Sequence, residues 1–153
     1  MELTWTDADF GDVAAIVDLL TDDGLGTARE GDDLAHYEAA FRLMADEAAN
    51  HLIVGRRADR IVATYHITFI RGLSRTATRR AQIEGVRVAS ALRGQGIGGA
   101  LMRDAEGRAR AAGCGLLQFT SDARRDRAHA FYADLGFVPS HVGFKKLLTA
   151  DTP

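Results

Sequence analysis

The chain has 153 residues, 46% apolar and 26% charged, with a formal net charge of −2 at pH 7. That length and balance suit one globular domain spanning residues 1–153 and exclude disordered and fibrous classes. The charge lacks the basic field of a nucleic-acid binder, and the one cysteine, Cys114, permits neither an internal disulfide nor a multi-cysteine zinc site.

In chain order, residues 3–5 predict a short strand, and Asp7 or Asp9 caps a helix carrying Val13, Ile16, Val17 and Leu20 at helical spacing. Residues 21–31, rich in Asp and Gly, read as a loop before a second helix with Tyr37, Phe41, Met44 and Ala48 on one face. Residues 51–56 and 61–70 are apolar, β-branched runs joined by Ala58-Asp59-Arg60, the pattern of a hairpin. After a loop over 72–78, residues 81–88 form another strand, and Gly94 to Gly99 leads into a helix with Leu101, Ala105, Ala109 and Ala112 along one side, ended by Gly113. Residues 116–120 predict a strand. Ala128, Phe131, Tyr132 and Leu135 form the stripe of a last helix closed by Gly136, and residues 144–148 a final strand. The order is an antiparallel meander followed by β-α-β units, a mixed α/β (α+β) sheet. No segment has the roughly 18 consecutive apolar residues of a membrane span, and the N-terminus lacks the pattern of a secretory signal, so a soluble cytoplasmic protein is expected.

The stretch from Val88 to Leu101 carries the most chemical information. Gly94, Gly96, Gly98 and Gly99 remove side chains where a strand hands over to a helix, which leaves backbone N–H groups exposed at the positive end of the helix dipole. Such a nest binds phosphate, and Arg93 adds a permanent positive charge; a loop that only caps the helix is the simpler alternative. The run Gly94-Gln95-Gly96-Ile97-Gly98-Gly99 also satisfies the dinucleotide G-x-G-x-x-G pattern, with Asp122 near the ribose-acid spacing. Too few residues follow it for the second half of a dinucleotide fold, and no Gly-Lys-Ser/Thr follows to make a P-loop.

Arg93-Gly94-Gln95-Gly96-Ile97-Gly98 resembles the Q/R-x-x-G-x-G/A signature of the GCN5-related N-acetyltransferases (GNAT), and Val86-Arg87-Val88 resembles their cofactor-facing strand. Downstream, Ala128-His129-Ala130-Phe131-Tyr132-Ala133-Asp134-Leu135-Gly136-Phe137 is similar to their A-x-x-F-Y-x-x-x-G-F signature. The resemblance implies a GNAT fold: a central mixed sheet of six to seven strands, about four helices, and parallel strands splayed at a cofactor cleft. It implies acetyl-CoA as co-substrate, with pyrophosphate on the amides of Gly94, Gln95, Gly96, Ile97, Gly98 and Gly99 beside Arg93, and pantetheine along Val86, Arg87 and Val88. Two positions depart from the family pattern: Ser90 where proline is common, and Arg125 where a cofactor-binding asparagine is common.

Acetyl transfer to an amine needs a neutral nucleophile, a polarised carbonyl and a proton for the departing thiolate. By strand alternation Glu84 shares a face with Val86 and Val88, where apolar neighbours favour a base. The residues alone fit an exposed carboxylate or structural ion pair equally well; the resemblance implies the catalytic glutamate, acting through a water. Tyr132 reads either as core packing or, by resemblance, as the acid that protonates the thiolate, and the Val88 N–H as donor to the thioester oxygen. His66 reads as a satisfied core or cleft histidine, and no histidine or cysteine spacing marks a metal site.

The acceptor is expected to be a small-molecule primary amine. Arg71, Arg75, Arg79 and Arg80 suit an anionic one, and residues 120–125 and 140–144 resemble aminoalkylphosphonate N-acetyltransferases. Acetylation of a protein, polyamine or antibiotic amine, and a non-catalytic acetyl-CoA sensor, are the alternatives. Neither nucleic acid nor membrane is an expected partner, and a homodimer is left open.

Overall fold

The structure, a computed structural model, describes residues 2–22, 31 and 33–148. Most of the loop expected over 21–31 therefore lies outside the described residues. The chain divides into two compact units, residues 1–119 and 120–153.

The first unit holds a five-stranded sheet in the order β1-β2-β3-β4-β5, formed by Leu3–Asp7, Asn50–Arg57, Arg60–Ile70, Arg80–Val88 and Leu116–Gln118. The first three pairings are antiparallel and β4–β5 is parallel, as the element order predicts. Among the described residues five strands form rather than six to seven. Residues 138–148 make no strand, and Phe144, Leu147 and Leu148 are exposed. A strand needs a hydrogen-bonded neighbour, and the described residues of the second unit contain none.

Helix α1 (Val13–Thr21) buries Val13, Ile16 and Leu19. It follows a 3-10 turn, Phe10–Asp12, closed by a reciprocal capping box between Asp9 and Asp12. Arg56 on β2 completes that corner with a 2.6 Å ion pair to Asp12. Helix α2 spans Leu34–Ala45 with Asp33 as N-cap. A four-residue helical turn, α3 (Ser74–Ala77), stands inside the predicted loop, with positive φ at Arg75, Thr76 and Ala77. Helix α4 is Ile97–Ala111. Cys114 N–H bonds the Ala109 carbonyl and Gly113 N–H that of Arg110, so Gly113, at φ +71°, ends the helix in a Schellman motif.

The core lies between β2–β4 and α4, where Ile53, Tyr65, Ile67, Ile83, Leu101 and Met102 are fully buried. The Tyr65 hydroxyl crosses from β3 to α4 and donates to Asp104 Oδ2 at 2.5 Å. Burial, and then the adjacent Asp104 carboxylate, raises the tyrosine pKa far above its ordinary value. Asp104 also accepts from Arg108 at 2.9 Å, and Arg108 reaches Asp7 on β1 at 3.3 Å, so one chain of charge-assisted bonds ties the helix to two strands.

The second unit contains α5, Asp126–Asp134. It ends in another Schellman motif at Gly136, φ +87°, with Phe137 N–H on the Tyr132 carbonyl and Gly136 N–H on that of Ala133.

Candidate active site

The glycine loop has the geometry an anion cradle needs. Gly94 and Gly96 adopt left-handed φ values of 76° and 80°, and Gly96 is the N-cap of α4. A Cβ built at either would meet nothing within 4 Å, so the glycines are required by backbone conformation rather than crowding. The first intrahelical bond, Ala100 N–H to the Gly96 carbonyl, leaves the preceding amides of the first turn pointing outward at the positive end of a 15-residue helix. This arrangement fits a pyrophosphate.

The arginine expected to add charge there is turned elsewhere. Arg93 donates from Nε to the Val88 carbonyl at 3.4 Å and from Nη2 to the Asp22 carbonyl at 3.3 Å. Asp22 in turn accepts from Ser90 N–H and Oγ at 2.6 and 2.9 Å, so the serine that replaces the common proline anchors the loop to the end of α1. Two other cations stand at the loop: Arg57 donates to Gln95 Oε1 at 3.3 Å, and Arg103 Nη1 lies 3.4 Å from a Cβ position at Gly99. Sequence reasoning missed both. Arg57 arrives from a distant strand, but the i, i+4 spacing of Arg103 from Gly99 is a local signal that could have found it.

Strand β4 departs from simple alternation. Its register with β3 pairs Thr64 with Arg87 but His66 with Glu84, so β4 inserts one extra residue opposite Tyr65. Gly85, at φ +58°, makes the bulge possible. Past it the faces exchange. Glu84 and Arg87 share the Thr64–His66 face, whereas Val88 pairs with Ala63 on the Tyr65 face, which corrects the expectation that Glu84 and Val88 point the same way. Glu84 is exposed rather than set among apolar neighbours. Arg87 is buried and donates to the Val86 carbonyl at 2.9 Å.

The two parallel strands separate early. Their ladder ends at Gln82–Gln118, where the side chains also bond at 2.8 Å, while β4 continues to Val88. Ala89 N–H bonds the Val62 carbonyl of β3, so the preceding Val88 N–H points to the other edge of β4, the edge the ladder has vacated.

His66, expected to be a satisfied core or cleft histidine, is hydrogen-bonded through one ring nitrogen. Its Nε2 lies 3.1 Å from Asn50 Oδ1, which also accepts from Thr68 Oγ1 at 2.7 Å. Burial lowers its pKa below the ordinary imidazole value, opposed by the negative charge of Glu84.

Of the four arginines before Glu84, Arg79 is engaged: it donates to the Ala112 carbonyl at the end of α4 and stacks over Phe69 at 5.4 Å. Arg71 and Arg75 are exposed and Arg80 is half-buried.

Within the second unit, Tyr132 is half-buried on α5, its ring tilted against Phe131 and edge-on to Phe137. Arg125, in place of the family asparagine, is the helix N-cap residue and gives no side-chain cap.

Comparison with known proteins places this geometry. A protein from Bacillus halodurans C-125, described as a transcriptional regulator, superposes with a TM-score of 0.91 at 40% identity, covering 96% of this chain and 100% of that one. A Clostridium acetobutylicum structure solved with acetyl-CoA superposes at 0.75 over 96% of this chain and 97% of its own, at 16% identity, which speaks for the fold alone. Among curated proteins, the aminoalkylphosphonate N-acetyltransferase of Salmonella typhimurium is 39% identical over 67 residues, 44% of this chain, so the chain spans 44% of that relative's length. The model of the acetyltransferase (GNAT) family matches residues 13–137. Sequence match and fold agree: the chain belongs to the acetyltransferase (GNAT) family.

Proposed function

We propose that the protein is an acetyl-CoA-dependent N-acetyltransferase acting on the primary amine of a small anionic molecule, an aminoalkylphosphonate or a close relative. The observation that carries the reading is the left-handed Gly94–Gly96 loop opening α4 beside a β4 edge released from β5 after Gln82. Acetyl-CoA, when bound, supplies an acetyl group activated as a thioester. In this reading the amides of residues 94–99, with Arg57 and Arg103 nearby, hold its pyrophosphate, and the Val88 N–H donates to the thioester oxygen. Glu84 takes the proton of the acceptor ammonium through a water, and Tyr132 supplies a proton to the departing thiolate. The family match from residue 13 to 137 supports treating the chain as one acetyltransferase domain. The similarity to the Salmonella enzyme supports the acceptor class, together with Arg71, Arg75 and Arg80. The reading extends to a cytoplasmic homodimer, checked by a light-scattering mass twice that of the chain.

The test is thiol release from acetyl-CoA across a panel of aminomethylphosphonate, 2-aminoethylphosphonate, spermidine, lysine and an aminoglycoside. Turnover is expected to be highest with a phosphonate. A clear preference for spermidine overturns the acceptor class, and acetyl-CoA binding with no turnover on any amine replaces the enzyme by a sensor.

A further inference from the structure

The polar network around His66 has no role in the chemistry above. Asn50 Nδ2 donates to the Glu47 carboxylate, which fixes the amide so that its oxygen faces β3. That oxygen accepts from Thr68, and because an oxygen can pair only with an N–H, the His66 nitrogen facing it carries the proton. A neutral ring therefore has its lone pair on Nδ1, which has no hydrogen-bond partner among the described residues. Directly across the sheet stands Glu84, the cross-strand partner of His66, with Cβ atoms at such positions about 5 Å apart. The charged or titratable groups acting on the ring are Glu84 on β4, His51 on β2 and Glu47 in the turn before β2.

We propose that His66 is a positioning residue for Glu84: Asn50 holds it in one tautomer, and its imidazole receives the proton that Glu84 takes from the acceptor amine. The proposal rests on the assignment of Glu84 as the base. The ammonium N–H bond breaks as a proton passes to the Glu84 carboxylate. That proton then moves through a bridging water to His66 Nδ1, restoring the carboxylate, and the imidazolium, near Glu84 and Glu47, releases it to solvent. The direction is downhill by type, since an imidazole is a stronger base than a carboxylate by about two pKa units. Burial narrows this gap and so speeds the return of the ring to its neutral form.

Two measurements test it. Long-range ¹⁵N–¹H correlation spectra of the His66 ring, recorded through a pH titration, are expected to show the Nε2–H tautomer and a pKa that falls in Glu84→Gln, where the carboxylate that raises it is gone. An Nδ1–H tautomer, or a pKa indifferent to Glu84→Gln, overturns the proposal. In turnover with the best amine of the panel, His66→Gln keeps an N–H for Asn50 but has no proton-accepting nitrogen. It is expected to retain melting temperature and KM while kcat near pH 7 drops about 10-fold, recovering at alkaline pH where free amine is abundant. A folded His66→Gln with an unchanged kcat profile beside an impaired Glu84→Gln overturns the relay and leaves the base intact. Full turnover of Glu84→Gln at neutral pH removes the base assignment, and the relay with it.

Discussion

Gly96 and Gly107 lie at the start of α4 and in its middle, and alanine should act on them with opposite signs. At Gly96 a Cβ meets nothing within 4 Å, but φ is +80°, a region that costs an L-residue about 1–2 kcal/mol. The stiffer unfolded chain offsets about 0.4–1 kcal/mol of that, so Gly96→Ala should destabilise by about 1 kcal/mol. Gly107 is exposed, helical and equally unobstructed, so Gly107→Ala should stabilise by about 0.5–1 kcal/mol. At about 2–4 °C per kcal/mol for a chain of this size, the two melting temperatures should differ by about 3–8 °C. The decisive assay repeats the melts with acetyl-CoA. At 100 times its Kd the ligand should add about 2.7 kcal/mol to wild type and to Gly107→Ala, and distinctly less to Gly96→Ala, whose amides must turn to relieve the strain. Gly96→Asp, which also repels an anion, should show almost no ligand shift. Equal melting temperatures for the two alanine variants would refute the strain argument, and a full ligand shift in Gly96→Asp would refute the cradle.

Tyr65→Phe should lower stability in urea denaturation by about 1–3 kcal/mol, since a buried bond to a carboxylate is lost, while acetyl-CoA affinity stays unchanged. Tyr132→Phe should slow turnover by about 10²–10⁴-fold with acetyl-CoA binding intact, whereas a merely packed ring predicts full activity. Glu84→Gln should lose most turnover near neutrality and recover as alkaline pH supplies free amine; a loss independent of pH contradicts the base. Because burial lowers the folded pKa of His66, the unfolded chain binds more protons between that pKa and about 6.5. Stability should therefore rise with pH across that window and be lowest below it. His66→Gln should flatten the slope by at most about 1.4 kcal/mol per pH unit, and an unchanged slope contradicts the buried neutral ring.

What could be read from the sequence follows how local each feature is. The glycine loop and the two Schellman ends at Gly113 and Gly136 depend on backbone preferences of a few consecutive residues, and all form where glycine demands them. The meander and its parallel addition follow from element order. That the sixth strand expected over residues 144–148 does not form was not legible, because those residues have a suitable pattern but pairing is a property of two segments. The same holds for the ties that position the site. Asp22 and Ser90 are 68 residues apart and Tyr65 and Asp104 are 39 apart, and neither pair carries a sequence signal. Arg93 illustrates the cost: its charge suggested phosphate, but two carbonyls within reach take up its guanidinium.

The bulge at Gly85 bears on how the chemistry can be divided. Period-two reasoning placed Glu84 and Val88 on one face, and a glycine inside an otherwise good strand is the signal that alternation will fail there. With the extra residue, the carboxylate and the Val88 side chain project to opposite faces, yet the Val88 N–H lies in the plane of the sheet and is directed to its edge. In the proposed reading, a base on one face and a donor at the edge serve one reaction only around that edge, which is open because the parallel ladder stops at Gln82. The carboxylate is then better placed to work through a bridging water than by direct contact, and an exposed Glu84 has water to use. The same bulge sets Glu84 opposite His66 rather than opposite Ile67. A single glycine thus decides both which side chain the carboxylate faces across the sheet and that it does not point into the packed core.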